Sequence, residues 1–195
     1  MINTPHLHLA SSSPRRKQIL EALGLEFTAA GADVDETPVA GEPAEAMVLR
    51  LAEAKARAGG RDAATVVIGA DTAVVLDGAM FGKPRNRADA LAMLAALSGR
   101  RHRVLTGVAV KSPQGIASVL STSEVEFREI DPDEAQAYWQ SGEPADKAGA
   151  YAVQGLGGVF VSSIAGSYSG IVGLPVFETT ALLKRAGIDV MTGRT

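Results

Sequence analysis

The feature that most restricts the fold is a nearly unbroken apolar run, TVVIGADTAVVL, at residues 65–76. It is rich in β-branched residues and does not alternate between apolar and polar positions, as a strand with one solvated face does. A strand of this composition is typical of the centre of a sheet that is covered on both faces. Its only charged residue is Asp71. We therefore expect a layered protein in which Asp71 occupies an unusual place for a carboxylate.

Strand-like and helix-like segments alternate along the chain. Residues 6–10 predict a short strand, and Ser13 with Pro14 predicts the start of a helix, as N-cap and first helical residue. Asp77-Gly78 is typical of a hairpin turn, and Asp131 with Glu134 forms a capping box. Further strands are predicted at 26–30, 79–82, 102–110, 118–128, 151–154 and 159–164, and further helices at 43–59, 86–97 and 175–186. This alternation indicates an α/β fold, and 195 residues favour a single domain.

The composition excludes several classes of function. Nineteen Lys and Arg residues against 22 Asp and Glu leave a net charge of −3, so we expect no nucleic-acid polymer and no anionic membrane as a partner. The absence of cysteine excludes thiolate nucleophiles, disulfides and Cys-ligated zinc. The start of the sequence has no signal-peptide pattern and no segment is long enough to span a membrane, so we expect a cytoplasmic protein.

Three segments resemble well-known motifs, but each lacks a feature that its motif requires. Residues 78–83 resemble a phosphate-binding P-loop, but one residue is missing between the glycines, and Pro84 replaces the hydroxyl that ligates magnesium. Residues 155–160 resemble a dinucleotide fingerprint, but they precede a predicted strand and not a helix. The sequence GSYSG carries Tyr168 where a nucleophile elbow requires serine. The sequence therefore gives no support to these three activities.

The segment SSSPRR places hydroxyls and two guanidinium groups at a predicted strand-to-helix turn. Because the N-terminus of a helix favours anions, Ser11, Arg15 and Arg16 could form a phosphate cradle there. A plain N-cap followed by two solvated arginines would give the same local pattern. This segment alone does not separate the two interpretations.

Asp71 and two lysines are further candidates for a site. We expect Asp71 to end its apolar strand, where catalytic groups often lie in open α/β sheets, although a turn-forming residue beside Thr72 is the alternative. Lys55 falls on an apolar stripe of its predicted helix, and Lys83 precedes Pro84 in a turn. Both lysines could simply extend to solvent, but together they indicate an anion pocket.

Two weaker signals concern metal and base recognition. Asp33, Asp35 and Glu36 could bind a hard cation through carboxylate oxygens, or they could form a solvated turn. Gln154 offers both a donor and an acceptor, which suits the edge of a nucleobase, but a lone glutamine has little weight. The glycine-rich region from 146 to 173 indicates backbone close to a ligand or tight loop crossings.

Taken in order, six blocks of the sequence carry a family resemblance: LASSSPRR, GADTAVV, GKP, LSGRRHRVLTG, DKAGAYAVQG and GSYSGIVGLP. They resemble the Maf family of nucleotide pyrophosphatases over nearly the whole chain. The resemblance implies one Maf-like α/β domain over residues 1–195, with two lobes around an elongated mixed β-sheet and a central cleft, as in the related inosine triphosphate pyrophosphatases. It also implies a homodimer.

The resemblance implies roles for individual residues. Asp71 and Lys83 would be catalytic, Arg15, Thr72 and Gln154 would determine substrate choice, and Ser11, Arg15, Arg16, Lys55 and Lys83 would bind phosphate. Asp71 and Glu36 would ligate a divalent cation, Mg²⁺ or Mn²⁺.

The resemblance extends to a subgroup. The block YAVQG resembles the members that hydrolyse dTTP and UTP, and possibly modified pyrimidine triphosphates, to the monophosphate and pyrophosphate. We would expect Glu in place of Gln154 in the subgroup that acts on 7-methyl-GTP, which is the first alternative. The second alternative is a nucleotide-binding regulator of septum formation and cell division.

Overall fold

The computed structural model of the protein describes residues 6–60 and 64–192. The first five residues, on which the expectation of no signal peptide partly rests, lie outside the described residues. The strands are β1 (Leu7–Leu9), β2 (Thr28–Ala29), β3 (Val66–Leu76), β4 (Ala79–Phe81), β5 (Arg101–Ser112), β6 (Gly115–Phe127) and β7 (Val161–Ala165). The helices are α1 (Pro14–Ala22), α2 (Ala44–Ala58), α3 (Arg87–Leu97), α4 (Pro132–Gln140), α5 (Tyr168–Val172) and α6 (Val176–Arg185). Among the described helices, none combines the length and apolarity needed to cross a membrane.

The strands form one mixed sheet in the order β2-β1-β3-β5-β6-β7, and β4 pairs with β3. Strand β1 runs parallel to both β2 and β3, with His8 opposite Thr28 on one side and Val67 on the other. The pairs β3–β4 and β6–β7 are antiparallel. The predicted α/β fold with a mixed sheet is therefore confirmed.

The chain divides into two compact units. The first contains the described residues up to Asp71, together with 106–121 and the described residues from Gly173 onward. The second contains residues 72–105 and 122–172. Three of the four divisions fall within β3, β5 and β6, so each of these strands contributes residues to both units, and the fourth follows the end of α5.

The first unit has its own hydrophobic core. Leu9 and Ile68, from neighbouring parallel strands, are completely buried together with Leu20 of α1 and Leu183 of α6. Burial of one such side chain contributes roughly 1.5–3 kcal/mol to folding. The core therefore holds α1 and α6 against the strands that lead to Asp71.

The second unit has a core rich in aromatic rings. Phe160 meets Tyr138 nearly edge to face, with ring centroids 5.2 Å apart, and Phe127 meets Tyr151 at 4.7 Å. Edge-to-face pairs are favourable because the positive ring edge approaches the negative ring face. Leu94 of α3 is buried in the same cluster. This core holds α3 and α4 against the sheet.

Local chemistry sets several element boundaries as predicted. The Asn86 side chain accepts a hydrogen bond from the Asp89 backbone at 3.0 Å, and Asp131 forms a complete capping box. Asp77 and Gly78 both have positive φ, as the hairpin turn requires. Ser13 is the N-cap residue of α1, but its side chain makes no capping hydrogen bond.

The predicted strand at 151–154 is wrong. Residues 148–150 and 156–160 are short 3-10 helices, and Val153 and Gln154 between them form a turn. The backbone N–H of Ala152 donates to the Tyr138 hydroxyl at 3.1 Å, so a side chain satisfies it where a neighbouring strand would. The short helix α5 was not predicted.

Candidate active site

The SSSPRR segment is organised around Arg16. The Ser11 hydroxyl accepts hydrogen bonds from the Ser13 backbone at 3.2 Å and from Arg16 Nη1 at 3.1 Å. Arg16 Nε donates to the carbonyl of Gly173 at 2.8 Å, across 157 positions of sequence. The interpretation of Arg16 as a solvated side chain is therefore wrong, because its guanidinium is fixed beside the start of α1.

The electrostatics around Arg16 mix both signs. Burial lowers the pKa of Arg16, Asp71 and Glu36 raise it, and neighbouring Arg15 lowers it. The net shift is downward, but an arginine pKa starts so high that the guanidinium stays charged at neutral pH. Two arginines and two carboxylates thus act on one another in the first unit.

Lys55 lies at the centre of this charge cluster. Its ammonium Nζ donates to Asp71 Oδ1 at 2.7 Å and lies 2.7 Å from Glu36 Oε1. The side chains of Lys55 and Asp71 are only 11% and 15% exposed, whereas that of Glu36 is 60% exposed. Lys55 therefore does not extend to solvent, and a buried ammonium of this kind requires a charged partner.

The position of Asp71 differs from the expectation. Strand β3 continues to Leu76, so Asp71 lies in the middle of the strand and neither ends it nor begins a turn. Five consecutive buried residues precede it, and Asp71 and Thr72 are the two partly exposed positions of the strand. A carboxylate in such an environment requires a counter-charge, which Lys55 supplies.

Two glycines allow α2 to bring Lys55 to Asp71. A Cβ atom on Gly69 would lie 2.1 Å from the Ala52 carbonyl oxygen, and one on Gly107 would lie 2.4 Å from the Val48 carbonyl oxygen. Both contacts are far shorter than any real Cβ contact, so α2 packs its backbone directly onto the strands. The lysine reaches Asp71 from the last turn of this helix.

The acidic residues Asp33, Asp35 and Glu36 make different contacts. Asp35 Oδ1 accepts a hydrogen bond from the Thr37 backbone at 2.9 Å, and hydrogen bonds from the Thr37 side chain and backbone lower the pKa of Asp35. Asp33 is exposed, and Glu36 is the member that contacts Lys55. Across the described residues, no three His, Cys, Asp or Glu side chains form a group able to hold a metal ion. The interpretation as a turn thus holds for Asp35, whereas the cation site stays a prediction and Glu36 joins the charge cluster.

The second unit carries the remaining predicted site residues. Thr72 is partly exposed on β3, and Lys83 is exposed just after β4. The Gly149 backbone donates to the carbonyl of Gly82 at 3.1 Å, which joins the GKP block to the DKAGAYAVQG block. Gln154, in the latter block, is exposed.

Sequence reasoning missed two features of these sites. The first is the Gly173 carbonyl that fixes Arg16, whose only sequence signal is the block GSYSGIVGLP. The second is the pair Tyr138 and Glu143, whose side chains contact the backbone on either side of Gln154. No local pattern distinguishes this pair from ordinary helix and turn residues.

Comparison with known proteins gives a family match over a range that contains the six sequence blocks. The model of the family described as Maf-like protein matches residues 6–186. The chain is 51% identical over 188 residues to a dTTP/UTP pyrophosphatase of Hahella chejuensis, covering 94% of each chain. It is 48% identical over 192 residues to a dTTP/UTP pyrophosphatase of Alkalilimnicola ehrlichii, covering 95% of each.

Among solved structures, a dITP/XTP pyrophosphatase from Mycobacterium abscessus superposes with a TM-score of 0.40 at 18% identity, covering 63% of this chain and 72% of that one. The Staphylococcus aureus Ham1 protein superposes with a TM-score of 0.43 at 17% identity, covering 63% and 71%. The family match spans most of the sequence and includes all the blocks described above. The chain belongs to the family of Maf-like proteins.

Proposed function

We propose that the protein hydrolyses nucleoside triphosphates to the monophosphate and pyrophosphate, with dTTP and UTP as its preferred substrates. The observation that carries the proposal is the partly buried Asp71–Lys55–Glu36 cluster beside Arg16. A base held in fixed orientation among cationic groups suits attack on a polyphosphate. Relatives 46–51% identical to this chain are named dTTP/UTP pyrophosphatase, which supports the choice of substrate.

In the proposed reaction Asp71 acts as the general base. It accepts a proton from a water molecule whose oxygen forms a bond to the α-phosphorus. The bond from the α-phosphorus to the oxygen that bridges to the β-phosphorus breaks, and its electron pair leaves with pyrophosphate. The hydrogen bond from Lys55 fixes the orientation of the Asp71 carboxylate. Correct orientation of this kind is a large part of catalysis by a positioned base.

The cationic residues would neutralise the triphosphate and the charge that develops on the leaving group. Arg16 is already fixed by Ser11 and Gly173, so it loses little conformational freedom when an anion binds. Roles in phosphate binding for Ser11, Arg15, Lys55 and Lys83, and in substrate choice for Arg15, Thr72 and Gln154, rest on the family resemblance.

The charge cluster brings two carboxylates close together. Asp71 and Glu36 each place a carboxylate oxygen 2.7 Å from the same positive group, the Lys55 ammonium. Mg²⁺ commonly takes one or two carboxylates and completes its shell with water and phosphate oxygens. We therefore propose that Asp71 and Glu36 would hold Mg²⁺ or Mn²⁺. Such an ion would withdraw charge from the phosphate oxygens.

A nucleotide panel tests the proposed function. Release of pyrophosphate from dTTP, UTP, 7-methyl-GTP and dATP is measured as phosphate after addition of inorganic pyrophosphatase. We expect dTTP and UTP to be the best substrates. A clear preference for 7-methyl-GTP would contradict the choice of substrate while leaving the reaction type intact.

The variant Asp71→Asn tests the assignment of the base. It keeps the size of the side chain but removes its basicity, so we expect kcat for dTTP to fall by about 10²–10⁴-fold. Asp133→Asn is the matched control, because Asp133 is an exposed aspartate on α4. Wild-type turnover by Asp71→Asn would exclude Asp71 as the base.

We also propose a cytoplasmic location, and the family resemblance supports the further proposal of a homodimer. Light scattering on the purified protein measures the mass of the particle in solution. A particle of about twice the 20.1 kDa chain mass is the expected result, and the mass of a single chain would contradict the homodimer.

A further inference from the structure

Two side chains hold the segment that carries Gln154. The Tyr138 hydroxyl donates to Glu143 Oε1 at 2.7 Å and accepts from the backbone of Ala152 at 3.1 Å. Glu143 accepts from the backbone of Leu156 at 3.0 Å and from that of Gly157 at 2.9 Å. The segment 152–157 is therefore tied at both ends to one pair of side chains, which we call the Tyr138–Glu143 clamp.

The glycines of this segment fit the clamp. A Cβ on Gly155 would lie 2.1 Å from Glu143 Oε2, and one on Gly157 would lie 2.5 Å from the Tyr138 hydroxyl. The Gly155 backbone also donates to the Ala152 carbonyl at 3.2 Å, which closes a turn around Gln154. Any side chain at either glycine would displace the clamp, so the turn and the clamp depend on each other.

The clamp is polar and charged, with Tyr138 buried and Glu143 partly exposed. Burial raises the pKa of Glu143, but the hydrogen bonds from Tyr138, Gly157 and Leu156 and the charge of Lys147 lower it more, and the net shift is downward. The group is therefore a carboxylate at neutral pH. Hydrogen bonds to an ionised acceptor are stronger than neutral ones, so the clamp is a firm attachment.

Gln154 itself is exposed, in contrast to the side chains that hold its backbone. An amide side chain distinguishes one base edge from another only when its donor and acceptor are held in a fixed position. Its own surroundings do not fix it, because Gln154 is open to solvent. The attachment of the backbone at Ala152, Leu156 and Gly157 fixes the point from which the Gln154 side chain extends.

We propose that Tyr138 and Glu143 are positioning residues that set the base preference of the enzyme by holding Gln154 in place. This inference rests on the proposed function, and specifically on base recognition by Gln154. Tyr138 and Glu143 act through the backbone of the turn and touch no reacting atom.

The test uses Tyr138→Phe and Glu143→Gln, with Glu129→Gln as the control at an exposed glutamate. Both clamp variants should lower kcat/KM for dTTP at least about tenfold, because the lost hydrogen bonds include charge-assisted ones. The loss should appear mainly in KM, because the clamp positions a group that binds the base and touches no reacting atom. The kcat/KM for dATP should change less than about twofold, since a purine does not use the fixed amide. Equal losses on both substrates would mean a general structural defect and would overturn the inference.

A second measurement separates positioning from unfolding. Hydrogen exchange at the Leu156 and Gly157 amides should accelerate in Glu143→Gln, while exchange in the β1 and β3 strands stays unchanged. Unchanged exchange at both amides would overturn the clamp itself.

The variant Gln154→Ala allows a double-mutant cycle with the two clamp variants. It should reduce the preference for dTTP over dATP, and in its background Tyr138→Phe and Glu143→Gln should reduce that preference no further. If Gln154→Ala alters the preference and the clamp variants do not, the inference fails while the proposed function stands. If Gln154→Ala leaves the preference unchanged, base recognition by Gln154 fails and the inference fails with it.

Discussion

Replacement of Gly69 by alanine should separate α2 from the sheet and disable the charge cluster. Gly69 has an ordinary strand conformation, so an alanine introduces no backbone strain and acts through its methyl group alone. That methyl carbon would lie 2.1 Å from the Ala52 carbonyl oxygen and 2.5 Å from the Ala56 backbone nitrogen. Both are helix backbone atoms that cannot rotate away, so the helix itself must move.

The size of the effect follows from these distances. An ordinary carbon–oxygen contact requires α2 to move outward by roughly 1 Å. Overpacking of this kind costs about 1–3 kcal/mol, and the upper end applies because backbone is displaced on a helix with several buried residues. Lys55 lies one turn after Ala52 and moves with the helix. A misplacement of about 1 Å can lower turnover roughly 10²-fold.

Urea denaturation followed by circular dichroism measures the loss of stability, and pyrophosphate release from dTTP measures the loss of turnover. Gly31→Ala is the control, because its methyl carbon would make only an ordinary contact, 3.8 Å from Ser12 Cβ. We expect the control to change stability by less than about 0.5 kcal/mol. If Gly69→Ala unfolds at the same urea concentration as the control and turns over dTTP normally, the close packing of α2 is refuted.

Three further predictions follow from individual contacts. Burial lowers the pKa of His102 to about 4, below the ordinary value of the unfolded chain. The stability that the neutral ring contributes is therefore present above pH 6.5 and is lost as pH falls toward 4. Between pH 7 and 4.5 the free energy of unfolding of the wild type, measured in urea, should fall by about 2–3 kcal/mol more than that of His102→Asn. Lys55→Met should abolish turnover of dTTP and lower the free energy of unfolding by about 2 kcal/mol, because Asp71 loses its counter-charge. In the double variant Lys55→Met/Asp71→Asn, part of that stability should return in urea denaturation. Asp131→Ala should cost about 1 kcal/mol through loss of the α4 cap, and an unchanged urea midpoint would contradict this.

Features that depend on near neighbours in sequence could be predicted. The caps at Asn86 and Asp131 and the hairpin at Asp77-Gly78 need only residues within one turn, and all three are present. The burial of β3 on both faces was also predicted, because its composition reports directly on its surroundings. Most candidate site residues lie in the motif blocks, although Lys55 and Glu36 lie outside them. Neither the partners of these residues nor their geometry could be predicted.

The sequence by itself determined the α/β class, most element positions and the family blocks, since hydrophobic pattern and capping are local properties. Tertiary structure alone decided that Asp71 lies within a strand, that Lys55 pairs with it and with Glu36, and that residues 151–154 form no strand. Each of these depends on groups that are distant in sequence, such as the Tyr138 hydroxyl that takes the Ala152 amide. A polar group withdrawn from water must form a hydrogen bond or an ion pair, and only the tertiary structure determines which partner lies within reach.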